Sequence, residues 1–160
     1  MPTLFFDAQQ SLGFMTITTN RLLCALLRRR MVQEGIDLTA EQWGVLAKVW
    51  NQEGLSQDEL ARFACVEKSS MSRVLAVLER KGLLERRPDP GDARRKNIFP
   101  TAAADAIKER CRDVVLEFQA GALRNVRPAD WATCMDVLHA IKDTLLQDMA
   151  AQASPQDPAL

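Results

Sequence analysis

The chain has 160 residues, with 21 Lys and Arg against 21 Asp and Glu, one His, four Cys and no Tyr. That length allows one hydrophobic core, or one lobe with an oligomerisation element. No apolar run is long enough to span a membrane, the region around Asp7 lacks the basic start of a secretory leader, and Cys24, Cys65, Cys111 and Cys134 form no C-x-x-C pair, so a cytoplasmic chain with reduced, mostly buried thiols is expected.

Residues 7–34 read as a helix with Leu12, Met15, Leu22, Leu23, Leu26 and Leu27 as its apolar positions. Thr39-Ala40-Glu41-Gln42 is a capping box opening a helix that carries Trp43, Val45, Leu46, Val49 and Trp50 and is expected to end at Gly54. Ser56-Gln57-Asp58-Glu59 is a second box, and Leu60, Phe63 and Ala64 give its helix an apolar face. A short connection through Cys65 and Val66 leads to a helix starting near Glu67. Met71, Val74, Leu75 and Leu78 follow at i, i+3, i+4, i+7, and Gly82 sits where a glycine ends a helix. Leu83–Arg87 and Lys96–Phe99 read as two strands of a hairpin around a Pro-, Gly- and Asp-rich turn. A long helix is expected over 101–125, with Ile107, Cys111, Val114, Val115, Phe118 and Leu123 apolar. Pro128 suits the first position of a last helix carrying Trp131, Met135, Leu138, Ile141, Leu145 and Met149. The tail from Ala153, with Pro155 and Pro158, is expected to be disordered.

The outward positions of the helix from Glu67 are Lys68, Ser69, Ser70, Ser72 and Arg73, a small, polar, cationic face suited to phosphates and base edges. Beside it, the hairpin tip carries Arg94, Arg95 and Lys96 in a row. Residues 67–96 hold nine Lys and Arg against five Asp and Glu, a local +4 in a chain of zero net charge, and the local value sets a phosphate footprint. A polar helix beside a basic hairpin is the layout of a winged helix-turn-helix. The fold class expected is therefore mainly α with a small β-wing. With one His, no G-x-S-x-G and no Gly-rich phosphate loop, nothing supports an enzyme, and neither a metal nor a cofactor is called for. His139 reads as a solvated helix residue.

The stretch from Ser56 to Arg87, the run Asp89-Pro90-Gly91-Asp92-Ala93-Arg94-Arg95-Lys96 and the flanking long helices together resemble the MarR family of bacterial transcription regulators. The run matches the family's DP-x-D-x-R-x-K wing pattern, and the resemblance covers residues 10–150. Two departures stand out. The family closes its wing with Leu-Thr and a Gly three residues on, where this chain has Pro100, Thr101 and Ala104. Pro100 is expected to end the wing one residue early, with Thr101 still the cap of the next helix. Glu67 replaces the family's usual Ser, Thr or Asp cap on the recognition helix.

The resemblance implies one MarR-like domain over 1–160. Helices at 7–34 and 101–150 would dimerise around a winged helix-turn-helix lobe at 39–100, whose long apolar stripes one small lobe cannot cover alone. The partners expected are double-stranded DNA, as a pseudo-palindromic operator, and a second copy of the chain, with no membrane. Ser70 and Arg73 are expected at base edges, Lys68, Ser69, Ser72 and Gln57 on phosphates. Arg94, with Arg95 and Lys96 beside it, would border the minor groove, and Asp92 would brace it through a salt bridge. Arg86 and Arg87 read equally as backbone contacts or solvated residues. Relief of repression by a small, aromatic anionic effector is implied, with Phe14, Arg21, Trp43 and Ala47 in the matching region, although Phe14 and Trp43 also read as ordinary core. A thiol switch at Cys24 is the alternative. Against it, the chain lacks the tyrosines of peroxide-sensing members, and burial among leucines would make the thiol inert. A winged helix used only for protein contact is the remaining rival.

Overall fold

The computed structural model describes residues 11–92 and 95–152. Arg94, the expected helix start before Ser11 and the tail from Ala153 lie outside them. The elements are α1 (Leu12–Gln33), α2 (Ala40–Asn51), β1 (Leu55–Ser56), α3 (Gln57–Ala64), α4 (Lys68–Arg80), β2 (Leu84–Pro88), β3 (Lys96–Pro100), α5 (Ala102–Ala122) and α6 (Pro128–Gln152). The architecture is mainly helical with a small antiparallel sheet. The chain divides into two compact units, Met1–Phe118 and Gln119–Leu160.

In the first unit, Ser11 caps α1, its hydroxyl accepting the Phe14 N–H at 3.5 Å. Only Leu27 and Met31 of this helix are buried, while Leu12, Met15, Leu22, Leu23 and Leu26 are exposed. The box at α2 forms as expected: Thr39 Oγ1 accepts the Gln42 N–H, and Gln42 Oε1 accepts the Thr39 N–H, both at 3.2 Å. Val45, Leu46 and Val49 are buried, and Trp43 and Trp50, both half-buried, meet at 5.9 Å between ring centroids. The helix ends at Asn51 rather than Gly54, because Gln52 is already extended (φ −151°, ψ 99°). Gly54 serves the sheet instead. It sits at φ +75°, donates its N–H to Ile98 O at 3.0 Å, and brings the chain so close to Phe99 that an added Cβ would lie 3.5 Å from the ring.

The turn at Gly54 leads into β1, a strand absent from the sequence reading. Leu55 pairs with Ile98 and Ser56 with Asn97, so the expected two-stranded hairpin is a three-stranded sheet of order β1-β3-β2. Pro100 does not end the wing early: it holds the last position of β3 opposite Leu84. A strand's final residue can lack an N–H without breaking the ladder before it. Within α3, Leu60 and Ala61 are buried, whereas Phe63, expected in the core, is 51% exposed and lies under the Lys48 ammonium, 5.3 Å from its centroid. Cys65 turns the chain in the left-handed region (φ 52°). On α4 all four expected positions, Met71, Val74, Leu75 and Leu78, are buried, and Gly82 follows at φ +68°.

The core runs from Leu27 to Cys111, with Met31, Leu46, Leu60, Met71, Leu78 and Ile98 wholly covered. Thr101 joins it to α5: its hydroxyl accepts the Ala104 N–H at 3.2 Å and donates to Gly82 O at 2.6 Å. The helix ends at Ala122, three residues before the expected 125. In the second unit Pro128 is the first residue of α6, as expected, and no residue of α6 is buried; Leu138, Leu145 and Met149 are exposed. No helix among the described residues is long and apolar enough to cross a membrane.

Candidate nucleic-acid interface

The interface is built from the start of α3. Ser56 Oγ accepts the Glu59 N–H at 3.3 Å and donates to Glu59 Oε2 at 2.6 Å, and the same Oε2 accepts the Ser56 N–H at 2.8 Å. These bonds, the hydroxyl's first, hold the Glu59 carboxyl below its ordinary value of 4.5. Fixing this turn fixes Gln57. Its Nε2 donates to Lys68 O at 3.2 Å and its Oε1 accepts from Arg86 Nη1 at 3.4 Å. Gln57, expected on a phosphate, thus ties α3 to the first residue of α4 and to β2.

Along α4, Lys68, Ser69 and Arg73 are exposed and Ser70 and Ser72 half-exposed, opposite the buried row. Glu67 makes no side-chain cap, Glu being a poor residue for that position. Arg73 lies back along its own helix, Nε donating to Ser69 O and Nη2 to Ser70 Oγ, each at 3.4 Å. Lys68 Nζ sits 2.9 Å from Asp58 Oδ2.

The wing cations are likewise met by acids. Arg86 pairs with Glu79, Arg87 pairs with Glu85 and covers Phe99 at 4.5 Å from its centroid, and Arg95 Nη2 stands 4.0 Å from Glu59 Oε2. Neither Arg86 nor Arg87 is simply solvated. Lys96 is exposed. Between α3 and the wing lies an open cleft of about 670 Å³ whose walls include Asp58, Arg62, Arg86, Arg95 and Lys96. An approaching phosphate would replace an internal carboxylate on Lys68 and Arg95, whose exposed pairs contribute only about 0–1 kcal/mol each, so the exchange there costs little; the Arg86–Glu79 pair is half-buried.

The wing's turn is held by Asp89. Its Oδ1 accepts the Gly91 N–H at 2.7 Å and the Asp92 N–H at 3.1 Å, and its Oδ2 accepts from Asn97 Nδ2 at 2.8 Å. With the Asn97 bond as the largest cause, this carboxyl too lies below its usual 3.8. Sequence reasoning proposed a brace at Asp92 towards Arg94, which lies outside the described residues, and did not single out Asp89. The signal was present, since an Asp that accepts the N–H two residues on is the Asx turn that Asp-Pro-Gly predicts. Asp92 contributes its carbonyl, which accepts the Arg95 N–H at 2.9 Å.

Residues 38–96 match the MarR family model. An uncharacterised HTH-type transcriptional regulator of Bacillus cereus (strain ATCC 14579) is 32% identical over 111 residues, 69% of each chain. The chain belongs to the MarR family. The transcriptional regulator HosA of Escherichia coli O111:H- is 34% identical over 71 residues, 44% of this chain, and the chain spans only about half of HosA's length, 53%. A crystal structure of a mutant of MarR from E. coli complexed with operator DNA superimposes with a TM-score of 0.74 at 27% identity, covering 81% of this chain and 92% of that one. The relatives named here are transcription regulators, not enzymes.

Phe14 and Arg21 are exposed on α1, and Trp43 and Ala47 half-buried on α2. Neither the cleft above nor a smaller one beside Lys81 includes any of the four. Cys24 is half-buried, its Sγ donating to Asn20 Oδ1 at 3.5 Å. The expectation of mostly buried thiols fails at Cys65 and Cys134, both exposed: Cys65 caps α3 in the left-handed turn, and no residue of α6, which carries Cys134, is buried. Cys111 alone is buried, and burial raises its pKa. Among the described residues no group of three or more His, Cys, Asp or Glu is placed to hold a metal ion.

Proposed function

We propose that this MarR-family regulator binds a pseudo-palindromic operator as a homodimer and acts as a repressor relieved by a small ligand. The observation that carries the DNA reading is the two-sided α4: a wholly buried row, and opposite it a row of hydroxyls and cations with the wing cations alongside. On this reading Ser70 and Arg73 meet base edges, with Arg73 swinging off Ser69 and Ser70 to do so, and Lys68, Ser69 and Ser72 meet phosphates. Arg94, Arg95 and Lys96 follow the minor groove or its backbone. The uncapped start of α4 leaves amide N–H groups for a phosphate oxygen. Gln57 acts through Lys68 and Arg86 as much as by direct contact.

The exposed leucines of α1 and α6 support the dimer, with 7–34 and 101–150 as its helices and 39–100 as the DNA-binding lobe. Two lobes about a twofold axis would place two recognition helices on half-sites one helical turn apart. A ligand relieves repression only by binding one spacing of the lobes better than the other. The region of Phe14, Arg21, Trp43 and Ala47 is where family likeness points for such a ligand.

Fluorescence anisotropy on the gene's own upstream DNA and a scrambled control, at two salt concentrations, tests the reading. Wild type is expected to prefer the native DNA, and Arg73→Ala to lose about 1–3 kcal/mol of that preference while keeping its salt dependence. Equal, weak binding of both DNAs by wild type would turn the reading towards a winged helix that docks on protein.

A further inference from the structure

Ser11, Thr39, Ser56 and Thr101 each turn a hydroxyl onto an amide in the first turn of the helix that follows. The recognition helix departs from this habit. Glu67 holds the capping position of α4 with extended backbone (φ −60°, ψ 146°), yet its carboxylate accepts no amide N–H of the helix. The side chain is exposed.

The same carboxylate meets no cation among the described residues. The acids around it are all engaged: Asp58 with Lys68, Glu79 with Arg86, Glu85 with Arg87, and Glu59 with the Ser56 amide. The cations in the first two turns of α4 are turned elsewhere, Lys68 to Asp58 and Arg73 to Ser69 O and Ser70 Oγ. Glu67 is therefore a bare anion at the leading end of the recognition helix, inside a module of net positive charge.

We propose that Glu67 is a base-reading residue that selects cytosine at one position in each half-site. The proposal rests on the operator-binding reading above. In a helix-turn-helix the first residues of the recognition helix reach base edges in the major groove. A carboxylate there has one good partner, the N4 amino group of cytosine. Guanine and thymine present acceptor oxygens that repel it, and adenine sets a repelling N7 beside its amino group. Phosphates repel it as well. DNA that lacks cytosine at that place leaves the anion unpaired against the groove, so wrong sequences are rejected by repulsion while the right one is accepted by a hydrogen bond. Because the carboxylate stays off the first-turn amides, those remain open to a phosphate oxygen.

Selection of duplexes from a random library by the full chain, followed by sequencing, tests this. Wild type is expected to enrich a twofold-symmetric motif with cytosine at one position in each half. Glu67→Gln, whose amide suits the N6 and N7 of adenine, is expected to lose cytosine at that position alone, in favour of adenine. Glu67→Asp keeps the charge but is a good cap, so its shorter side chain turns onto the helix. That variant is expected to raise the thermal midpoint and yet to lose the cytosine preference, about fivefold or more by anisotropy on matched duplexes. A residue that merely began the helix would lose nothing as Asp, and a change of preferred base does not come from misfolding. An unchanged motif with Glu67→Gln, a cytosine preference kept by Glu67→Asp, or a motif eroded at every position by Glu67→Gln overturns the proposal and leaves operator binding standing. A wild type that enriches no motif overturns operator binding and the role of Glu67 with it.

Discussion

Leu22 is 65% exposed on α1 in the single chain, with Leu26 one turn on also exposed. If a second copy covers it, Leu22→Ala removes apolar burial that exists only in the dimer. Full burial of a leucine side chain is worth about 1.5–3 kcal/mol, so covering the exposed share is worth roughly 1–2 kcal/mol per chain. Twofold symmetry doubles this to about 2–4 kcal/mol, a shift of roughly thirtyfold to several hundredfold in the dimer dissociation constant. Sedimentation equilibrium measures that constant directly. Urea unfolding at two protein concentrations gives an independent reading, because coupled folding and association make the midpoint concentration-dependent. A buried-core control, Leu78→Ala, should instead lower stability by about 3–5 kcal/mol whatever the concentration. A Leu22→Ala dimer within twofold of wild type, or a wild-type midpoint indifferent to concentration, would refute the reasoning.

Three further outcomes are expected. Since Glu59 has a lowered pKa, its contribution to stability is complete above the ordinary 4.5 and fades as pH falls through the lower folded value; urea midpoints from pH 7 to pH 3 should show this loss, and Glu59→Gln should flatten it. Ser56→Ala breaks the same box from the other side and should cost about 1 kcal/mol in urea unfolding at pH 7, an unchanged midpoint counting against the box as a structural element. Asp89→Ala should leave the thermal midpoint of the core nearly unchanged while the Gly91 and Asp92 amides exchange with solvent faster and operator affinity falls; unchanged exchange at both amides would show that the wing is held by something else.

Much of the fold was legible because its signals are local. A capping box is four residues long, and both were read correctly at Thr39 and Ser56. The inner row of α4 follows from spacing alone. What was not legible depends on residues distant in sequence. The strand at Leu55–Ser56 is two residues with no pattern of their own, created by pairing with β3 more than forty positions later. That pairing also recruits Gly54 away from α2. Phe63 was placed inside because it is apolar and in register, yet the buried face of α3 is Leu60 and Ala61, and Phe63 lies outside it under Lys48. At the interface, the cations were identifiable as types, but their partners Asp58, Glu79 and Glu59 arrive through folding.

The base of the wing is closed by the Asp89 N–H on the Arg95 carbonyl and the Asn97 amide on the Asp89 carboxylate. Lengthening a loop closed by such a clasp costs only slowly growing entropy. The tip between Pro90 and Arg95 is in that sense an exchangeable cassette. Its length and charge can drift between descendants, or be swapped by an engineer, while the recognition helix stays on the same foundation.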